Sequence, residues 1–218
     1  GIRECLIRGN LLKDIGGNGI LAGVYSDPGH EIHLPYMPTD IRDYCRNLTI
    51  TDNLVTDVTN EDWSCVGIGL GYTQHSLVAN NEVNNVSYSG ITMGWGWSPA
   101  PNMMLDNQIY RNRIHHYGKH NYDCSGIYTL SAQPGSKISE NYIDSIYKSP
   151  YAHLPSHWFY IYTDEGSSGF NVSNNYTSSE KFLQNATGPD NVWKDNGPAV
   201  NDSVKQNAGI TSNYKSLL

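Results

Sequence analysis

The sequence predicts an all-β fold, a parallel β-helix of about six coils, and three observations support this prediction. An Asn followed at +2 and +5 by a large apolar residue occurs five times, and a partial sixth copy begins at Asn175. Successive copies begin 43, 28, 31, 29 and 34 residues apart, a period typical of solenoids, whose units bury their apolar faces only against their neighbours. Between the copies lie short alternating runs, with 21 Gly and 10 Pro in the chain and no long helical periodicity, which indicates strands and turns.

The five full copies share one pattern, an Asn at the start of a strand-like run. They begin at Asn10, Asn53, Asn81, Asn112 and Asn141. We expect each Asn to lie at a bend, because Asn tolerates the left-handed conformation and its side chain can bond backbone groups or the Asn of the next coil. The pattern therefore predicts a structural ladder and not a binding site.

A second short strand follows each copy, and its alignment predicts which side chains point outward. The inward row of these strands comprises Ile20, Ile68, Ile91, Ile127 and Ile161. Because side chains alternate along a strand, the residues at +1 and +3 from this row should point outward. The +3 row comprises Gly23, Gly71, Gly94, Leu130 and Asp164. The absent side chains of its glycines predict a groove, with a carboxylate beside it.

The repeat runs through most of the chain without a linker, so we predict a single domain over residues 1–218. Regular coils should occupy residues 1–180 and an irregular segment residues 181–218, because the pattern decays after Tyr176. An insertion at residues 26–44 should leave the coils on one face. Residues 1–7 already have a strand-like rhythm without a capping segment. We therefore expect a piece of a longer protein, with its missing N-terminal part as a partner of the first coil.

Charge and composition narrow the class of partner. The net charge is −7 with 14 Lys and Arg and no basic cluster, which argues against nucleic acid. No apolar run reaches transmembrane length, so no membrane partner is predicted. The cysteines and histidines lack the spacing of metal motifs, and we predict no cofactor and no catalytic metal. A structural calcium ion held by Asp and Glu oxygens stays open as an alternative.

Three carboxylates are candidates for catalysis of glycosidic bond hydrolysis, which usually requires two carboxyl groups. Asp164 follows a strand and precedes a Gly-Ser-Ser-Gly turn, and Glu165 comes next. Glu165 should project to the other side unless the chain bends there. Asp123 lies one coil earlier and seven residues out of register with Asp164, up to roughly 23 Å if extended. It joins the site only if the insertion before it folds back, and each of these residues could instead be a turn former.

Aromatic side chains near these carboxylates are candidates for sugar binding, because a flat apolar ring stacks on a sugar face. Trp95, Trp97 and Tyr72 follow the glycines of the outward row. The tryptophans could equally cover a neighbouring loop. The remaining candidates are two outward tyrosines of the aligned strands and two loop histidines: Tyr128, Tyr162, His75 and His120.

Four runs of the sequence resemble right-handed parallel β-helix glycoside hydrolases, most closely glycoside hydrolase family 141. These runs are residues 88–91, 94–98, 123–130 and 161–169, and the likeness covers about residues 1–175. The resemblance implies hydrolysis of neutral sugar linkages in plant cell-wall polysaccharide, with α-L-fucosidase or xylanase activity. It also implies two catalytic aspartates, which are Asp123 and Asp164 here. We expect a secreted or periplasmic bacterial protein with an oligosaccharide or polysaccharide as its substrate.

Two other functions fit the same fold. A polysaccharide lyase would need a cationic residue or metal to neutralise a uronate carboxylate, for which the sequence offers Arg111, Arg113, Lys119 and Lys137. A non-catalytic carbohydrate-binding or adhesive β-helix would place Asp123 and Asp164 far apart and form no closed pocket.

Overall fold

The computed structural model describes residues 1–25 and 35–218, and over these ranges the chain is a parallel β-helix. Its strands form three parallel sheets of seven, six and six strands. Each coil contributes one strand to each sheet, and six full coils are followed by one further strand. The predicted fold class is therefore confirmed. Residues 26–34, which belong to the predicted insertion, lie outside the described residues.

The coils follow one another in chain order. Their strands are β1 (Leu6–Arg8), β2 (Leu11–Ile15) and β3 (Ile20–Ala22); β4 (Thr49–Thr51), β5 (Leu54–Val58) and β6 (Ile68–Leu70); β7 (Leu77–Ala79), β8 (Glu82–Asn84) and β9 (Ile91–Met93); β10 (Gln108–Tyr110), β11 (Arg113–His115) and β12 (Cys124–Thr129); β13 (Lys137–Ser139), β14 (Tyr142–Ile143) and β15 (Trp158–Thr163); β16 (Asn171–Ser173), β17 (Tyr176–Thr177) and β18 (Phe182–Gln184); and β19 (Val192–Lys194). The first sheet begins with β1, the second with β2 and the third with β3.

The third sheet has the register that the sequence predicts. Ile20 pairs with Ile68, Ile68 with Ile91, Ile91 with Ile127, and Ile127 with Ile161. All five side chains belong to one apolar core that runs through the coils. A one-residue slip would turn the whole row to solvent, so burial of the isoleucines fixes the register.

The recurring asparagines form the predicted ladder. Each side-chain Nδ2 donates to Oδ1 of the next Asn at 2.8–3.0 Å, from Asn10 through to Asn196. The left-handed residue at this corner is the one before the Asn, as in Asp52 (φ 55°) and Asn80 (φ 53°), which corrects our expectation. The reason is that the Asn amide also bonds carbonyls of the first sheet in its own coil and in the preceding coil, such as Thr51 and Ile7 for Asn53, so the residue before the Asn makes the bend.

Neighbouring backbone lies close to two glycines of the outward row, of which only Gly94 also lines the cleft described below. A Cβ on Gly71 would lie 2.3 Å from the carbonyl oxygen of Val24, and one on Gly94 would lie 2.2 Å from that of Leu130. The space left by each absent side chain is therefore filled by neighbouring backbone. Glycine is required at these positions because two chain segments meet there at close range.

The sheets continue past residue 180, where we expected regular coils to end, because β18 and β19 pair with β15 and β16. The segment after β19 contains a short helix, α1 (Ser203–Asn207), and a 3₁₀ turn (Ser212–Leu217). It packs on the corner between the first two sheets, where both N and Oγ1 of Thr211 donate to Oδ1 of Asp52 at 3.0 and 2.6 Å. Within the described residues, no helix has the length and apolar character needed to span a bilayer.

Candidate active site

A cleft of about 470 Å³ lies on the outward face of the third sheet. Outward residues of the sheet form part of it, including Leu21, Thr92 and Tyr128, and aromatic rings from the adjoining loops complete it. Among the described residues that line it, none carries a formal charge. The cleft therefore suits an uncharged ligand with apolar faces.

Two tryptophans of one loop form an aromatic wall of this cleft. Trp95 meets Trp97 edge to face with ring centroids 4.7 Å apart, and it meets Tyr25 at 5.3 Å. All three rings line the cleft. The structure thus places Trp95 and Trp97 where a sugar ring could stack, as the sequence predicts, although each tryptophan also packs against its neighbours.

The tryptophan loop rests on the turn that follows Asp164. The amide of Ser98 donates to Oγ of Ser131 at 3.0 Å, and the amide of Ala132 donates to the carbonyl of Ser98 at 3.1 Å. Gly166 has a φ of 75°, and a Cβ there would lie 2.3 Å from the carbonyl carbon of Ser98. This close approach couples the position of the loop to the position of the Asp164 turn.

Asp164 is buried, with 6% of its surface exposed, at the end of β15. The hydroxyl of Tyr128 donates to its Oδ2 at 2.5 Å, and Nδ2 of Asn185 donates to its Oδ1 at 2.7 Å. Both carboxylate oxygens therefore act as acceptors, which is the arrangement of an ionised carboxylate. Because Tyr128 also lines the cleft, its hydroxyl connects Asp164 directly to the cleft wall.

Asp123 precedes β12 and is more open, with 47% of its side chain exposed. Its Oδ1 lies 3.0 Å from Nε2 of His157, and its amide donates to the carbonyl of His157 at 2.7 Å. The residues before it do not fold back as we had required, because β12 pairs in register with β15 from Cys124 and Trp158 onward. Asp123 and Asp164 thus lie at opposite ends of two neighbouring strands.

Buried phenols lie between the two aspartates. The rings of Tyr128 and Tyr162 meet at right angles with centroids 5.0 Å apart, and Tyr162 is 6.4 Å from the ring of His157. Burial raises the pKa of Tyr162, and the charges of Asp164 and Asp123 raise it further. Tyr88, which lines the cleft, has its pKa raised by burial and by the same two carboxylates. The phenols of Tyr88 and Tyr162 therefore stay protonated at neutral pH, and of these two only Tyr88 lines the cleft.

The pKa of Tyr128 is also raised. Burial raises its pKa, and the hydrogen bond to Asp164 raises it further, because a phenolate would face a carboxylate. Its hydroxyl stays a hydrogen-bond donor at neutral pH. The neighbouring thiol of Cys124 is likewise protonated, since burial and Asp123 raise its pKa to about 12.

Besides Asp123, Asp164 and Tyr162, four further candidates do not line the cleft. Tyr72, predicted to bind substrate, is only 3% exposed and packs against Met103 and Met104, so it cannot contact a ligand. His75 faces Asp106 at 3.5 Å and borders a separate shallow pocket on the first sheet. Glu165 is exposed, and its carbonyl accepts from the amide of Ser131. His120 stacks on a tryptophan near the cleft and does not line it.

Three residues of this region were missed by the sequence analysis as site residues: Tyr88, His157 and Asn185. Asn185 follows Gln184, which pairs with Thr163, so it occupies the same row as Asp164. Extending the strand alignment beyond residue 180 would have found it. Tyr88 and His157 stand three and four residues before the inward isoleucines of their coils. These positions were not compared between coils, because the alignment had been extended only forward from the isoleucines.

The described residues hold no group of three or more His, Cys, Asp or Glu side chains that could bind a metal ion. The chemistry of the region is therefore derived from its carboxylates, phenols and aromatic rings.

Comparisons with known proteins support the fold. No family model matches the chain, and no curated protein does. A solved structure of a protein named "Glycoside hydrolase" matches at 48% sequence identity with a TM-score of 0.97. The match covers 98% of this chain and 36% of that chain, so the chain spans about a third of the length of this similar protein.

Proposed function

We propose that this chain provides the catalytic β-helix of a glycoside hydrolase that cleaves neutral sugar linkages in plant cell-wall polysaccharide. The observation that carries the proposal is the uncharged aromatic cleft whose wall includes Tyr128, because the hydroxyl of Tyr128 donates to Oδ2 of Asp164 at 2.5 Å. The 48% identity to part of a protein named as a glycoside hydrolase supports the reaction class. The resemblance of four sequence runs to family 141 supports α-L-fucosidase or xylanase specificity.

The two aspartates would have different roles. Asp164 accepts hydrogen bonds on both oxygens, so it is suited to act as the ionised carboxylate that attacks the anomeric carbon or activates water. Asp123 has His157 on Oδ1, while the described residues supply no partner for its Oδ2. Because Asp123 lies at the opposite end of the neighbouring strand, its role as the second carboxyl group, the general acid, rests on the resemblance to family 141.

The aromatic residues would bind and orient the sugar. Trp95 and Trp97 offer ring faces and edges to the apolar side of a pyranose. The hydroxyls of Tyr88 and Tyr128 stay protonated and so can donate to sugar oxygens or to Asp164. The ring of Tyr162 lies 5.0 Å from that of Tyr128, which bonds Asp164, and 6.4 Å from that of His157, which faces Asp123.

The lyase alternative fits the region less well, because three of its four candidate cations lie on the other two sheets. Arg111 pairs with Glu140 at 2.8 Å and precedes the second sheet, and Arg113 is in β11 of that sheet. Lys137 is in β13 of the first sheet. A uronate carboxylate in the cleft would meet no charged lining residue of opposite sign among those described.

The test is hydrolysis of 4-nitrophenyl α-L-fucoside, fucosylated xyloglucan and xylan by the chain and by Asp164→Asn and Asp123→Asn. We expect hydrolysis of at least one substrate, and a loss of about 100-fold or more in kcat for each variant. The matched control is Asp195→Asn. Asp195 is exposed at a corner after β19 and has a left-handed φ of 53°, close to the 54° of Asp123, and this variant should be as active as the parent. Equal activity of Asp164→Asn and the parent would refute the proposal, as would unsaturated products that absorb in the ultraviolet.

A further inference from the structure

An exposed tryptophan forms a flat platform beside the cleft. Trp63 stacks on His120 with ring centroids 4.3 Å apart and an interplanar angle of 15°. Trp63 is 52% exposed although one of its faces is covered, so the other face is open to solvent. Exposed tryptophans are usually scattered and without function, but this one is held in a defined orientation.

Hydrogen bonds from neighbouring residues hold both His120 and the backbone of Trp63 in place. Nδ1 of His120 lies 2.9 Å from Oγ of Ser87, and the amide of His120 donates to the carbonyl of Ser87 at 3.1 Å. Nδ2 of Asn121 donates to the carbonyl of Trp63 at 2.6 Å. Burial and the charge of Lys119 lower the pKa of His120, so its ring is neutral near pH 7. A ligand would therefore meet a rigid, uncharged aromatic surface.

The platform is continuous with the cleft. Ser64 and Cys65, which follow Trp63 directly, line the cleft, and so does Tyr88, which follows Ser87. Asn121, whose side chain bonds the carbonyl of Trp63, stands two residues before Asp123, so the platform lies beside the chain segment that leads to Asp123.

We propose that Trp63, supported by His120, is a further sugar-binding subsite that stacks a neutral sugar ring of the polysaccharide away from the cleaved bond. The proposal rests on the hydrolase function proposed above and adds a subsite to it. A sugar ring stacked on Trp63 lies outside the cleft, so only a substrate of more than one sugar unit occupies both places. The platform thus makes affinity depend on chain length.

The test is calorimetric titration of the Asp164→Asn chain with xylobiose, xylohexaose and fucosylated xyloglucan oligosaccharides, with and without Trp63→Ala. We expect Trp63→Ala to weaken binding of the longest bound oligosaccharide about ten-fold. The loss should be smaller for the shortest one. Trp63→Phe, which keeps a ring for stacking, should recover most of the affinity.

The matched control is Tyr151→Ala, which removes an aromatic residue that is 96% exposed on another loop, and its affinities should equal those of the parent. Melting temperatures of all variants exclude misfolding. Unchanged binding of the long oligosaccharide by Trp63→Ala would overturn the subsite, and so would equal losses for long and short ligands or the absence of binding to the parent. Hydrolysis by the unsubstituted chain is measured separately, so binding that depends on Trp63 without any hydrolysis would retain the subsite and refute the hydrolase.

Discussion

At the scale of single residues, the surroundings of Asp164 define the chemistry. Its two hydrogen bonds come from different coils, one from Tyr128 in the fourth and one from Asn185 after β18 in the sixth. The carboxylate is therefore held by three successive coils, and its orientation depends on correct stacking of all three. This geometry favours preorganisation, because the charged group is fixed before a substrate arrives.

Removal of the Tyr128 hydroxyl that bonds Asp164 should impair catalysis more than substrate binding. We predict that Tyr128→Phe lowers kcat about ten-fold or more and changes KM little, because it deletes a hydrogen bond to a charged group and leaves the ring in the cleft wall. Steady-state kinetics on the substrate found for the chain measure both constants. Tyr147→Phe is the control, since its hydroxyl bonds Asn85 at a corner remote from the third sheet. A change of KM alone in Tyr128→Phe would contradict the assigned role.

The buried acids of this region should make the fold sensitive to alkali. The folded-state pKa of Cys124 is raised to about 12 from an ordinary value near 9, and the pKa values of Tyr88, Tyr128 and Tyr162 are raised as well. The unfolded chain therefore loses these protons at a lower pH than the folded chain. Stability is fully present below about pH 9 and falls as the pH rises toward 12. Melting temperatures between pH 8 and 11 measure this, and Cys124→Ser should give a shallower decline than the parent.

At the scale of structural elements, the corner between the first and second sheets is formed by the asparagine ladder, and a strand of the second sheet follows each Asn from Asn10 to Asn175. Asn112 illustrates this, since it donates to the carbonyl of Val78 and to Asn141 and accepts from Asn81. It is fully buried, and no water could replace these partners without opening the core. The corner is therefore stabilised mainly by hydrogen bonds that neighbouring coils share.

An interior ladder position should contribute more to stability than the first one. We predict that Asn112→Ala lowers the free energy of unfolding by about 3 kcal/mol, because it leaves buried donors and acceptors on two coils unsatisfied. Asn10→Ala, at the exposed start of the ladder, should cost less than about 1 kcal/mol. Urea unfolding of both variants compares the two values. Equal losses would show that the ladder contributes only through local turn geometry.

The sequence was sufficient to predict the register of the strands but not the positions of the loop side chains, for physical reasons. A row such as Ile68, Ile91 and Ile127 can be aligned because burial repeats at every coil and fixes the register. The position of Trp63 over His120 depends on two insertions of different length that meet only in space. Tyr72 was misassigned because it was chosen for following a glycine of the outward row, whereas its ring packs against Met103 and Met104 of a later loop.

At the scale of the whole molecule, the segment after β19 connects coils that are distant in sequence. Thr211 bonds Asp52 in the second coil, and the amide of Gly209 donates to the carbonyl of Arg111 in the fourth coil at 2.8 Å. Val204 and Ile210 of this segment are both 7% exposed. The segment therefore stabilises the corner between the first two sheets and stands apart from the third sheet.

Weakening this contact should lower stability without changing catalysis. We predict that Ile210→Ala costs about 2–4 kcal/mol by leaving a cavity, which corresponds to a decrease of roughly 6–12 °C in Tm for a chain of this size. Its kcat should equal that of the parent. Ile2→Ala is the control, because Ile2 is 54% exposed and should change Tm little. A large loss of activity in folded Ile210→Ala would show that the segment is coupled to the cleft.

The asparagine ladder also affects how whole coils can be added to such a molecule or removed from it. All six side-chain bonds run in one direction, from each coil to the next in the chain. Every corner thus presents the same acceptor on one side and the same donors on the other, whichever coil it belongs to. A duplicated or deleted stretch of one full coil would find matching partners at both junctions. Gene duplication could therefore lengthen the molecule by whole turns while the loops of each turn diverge independently.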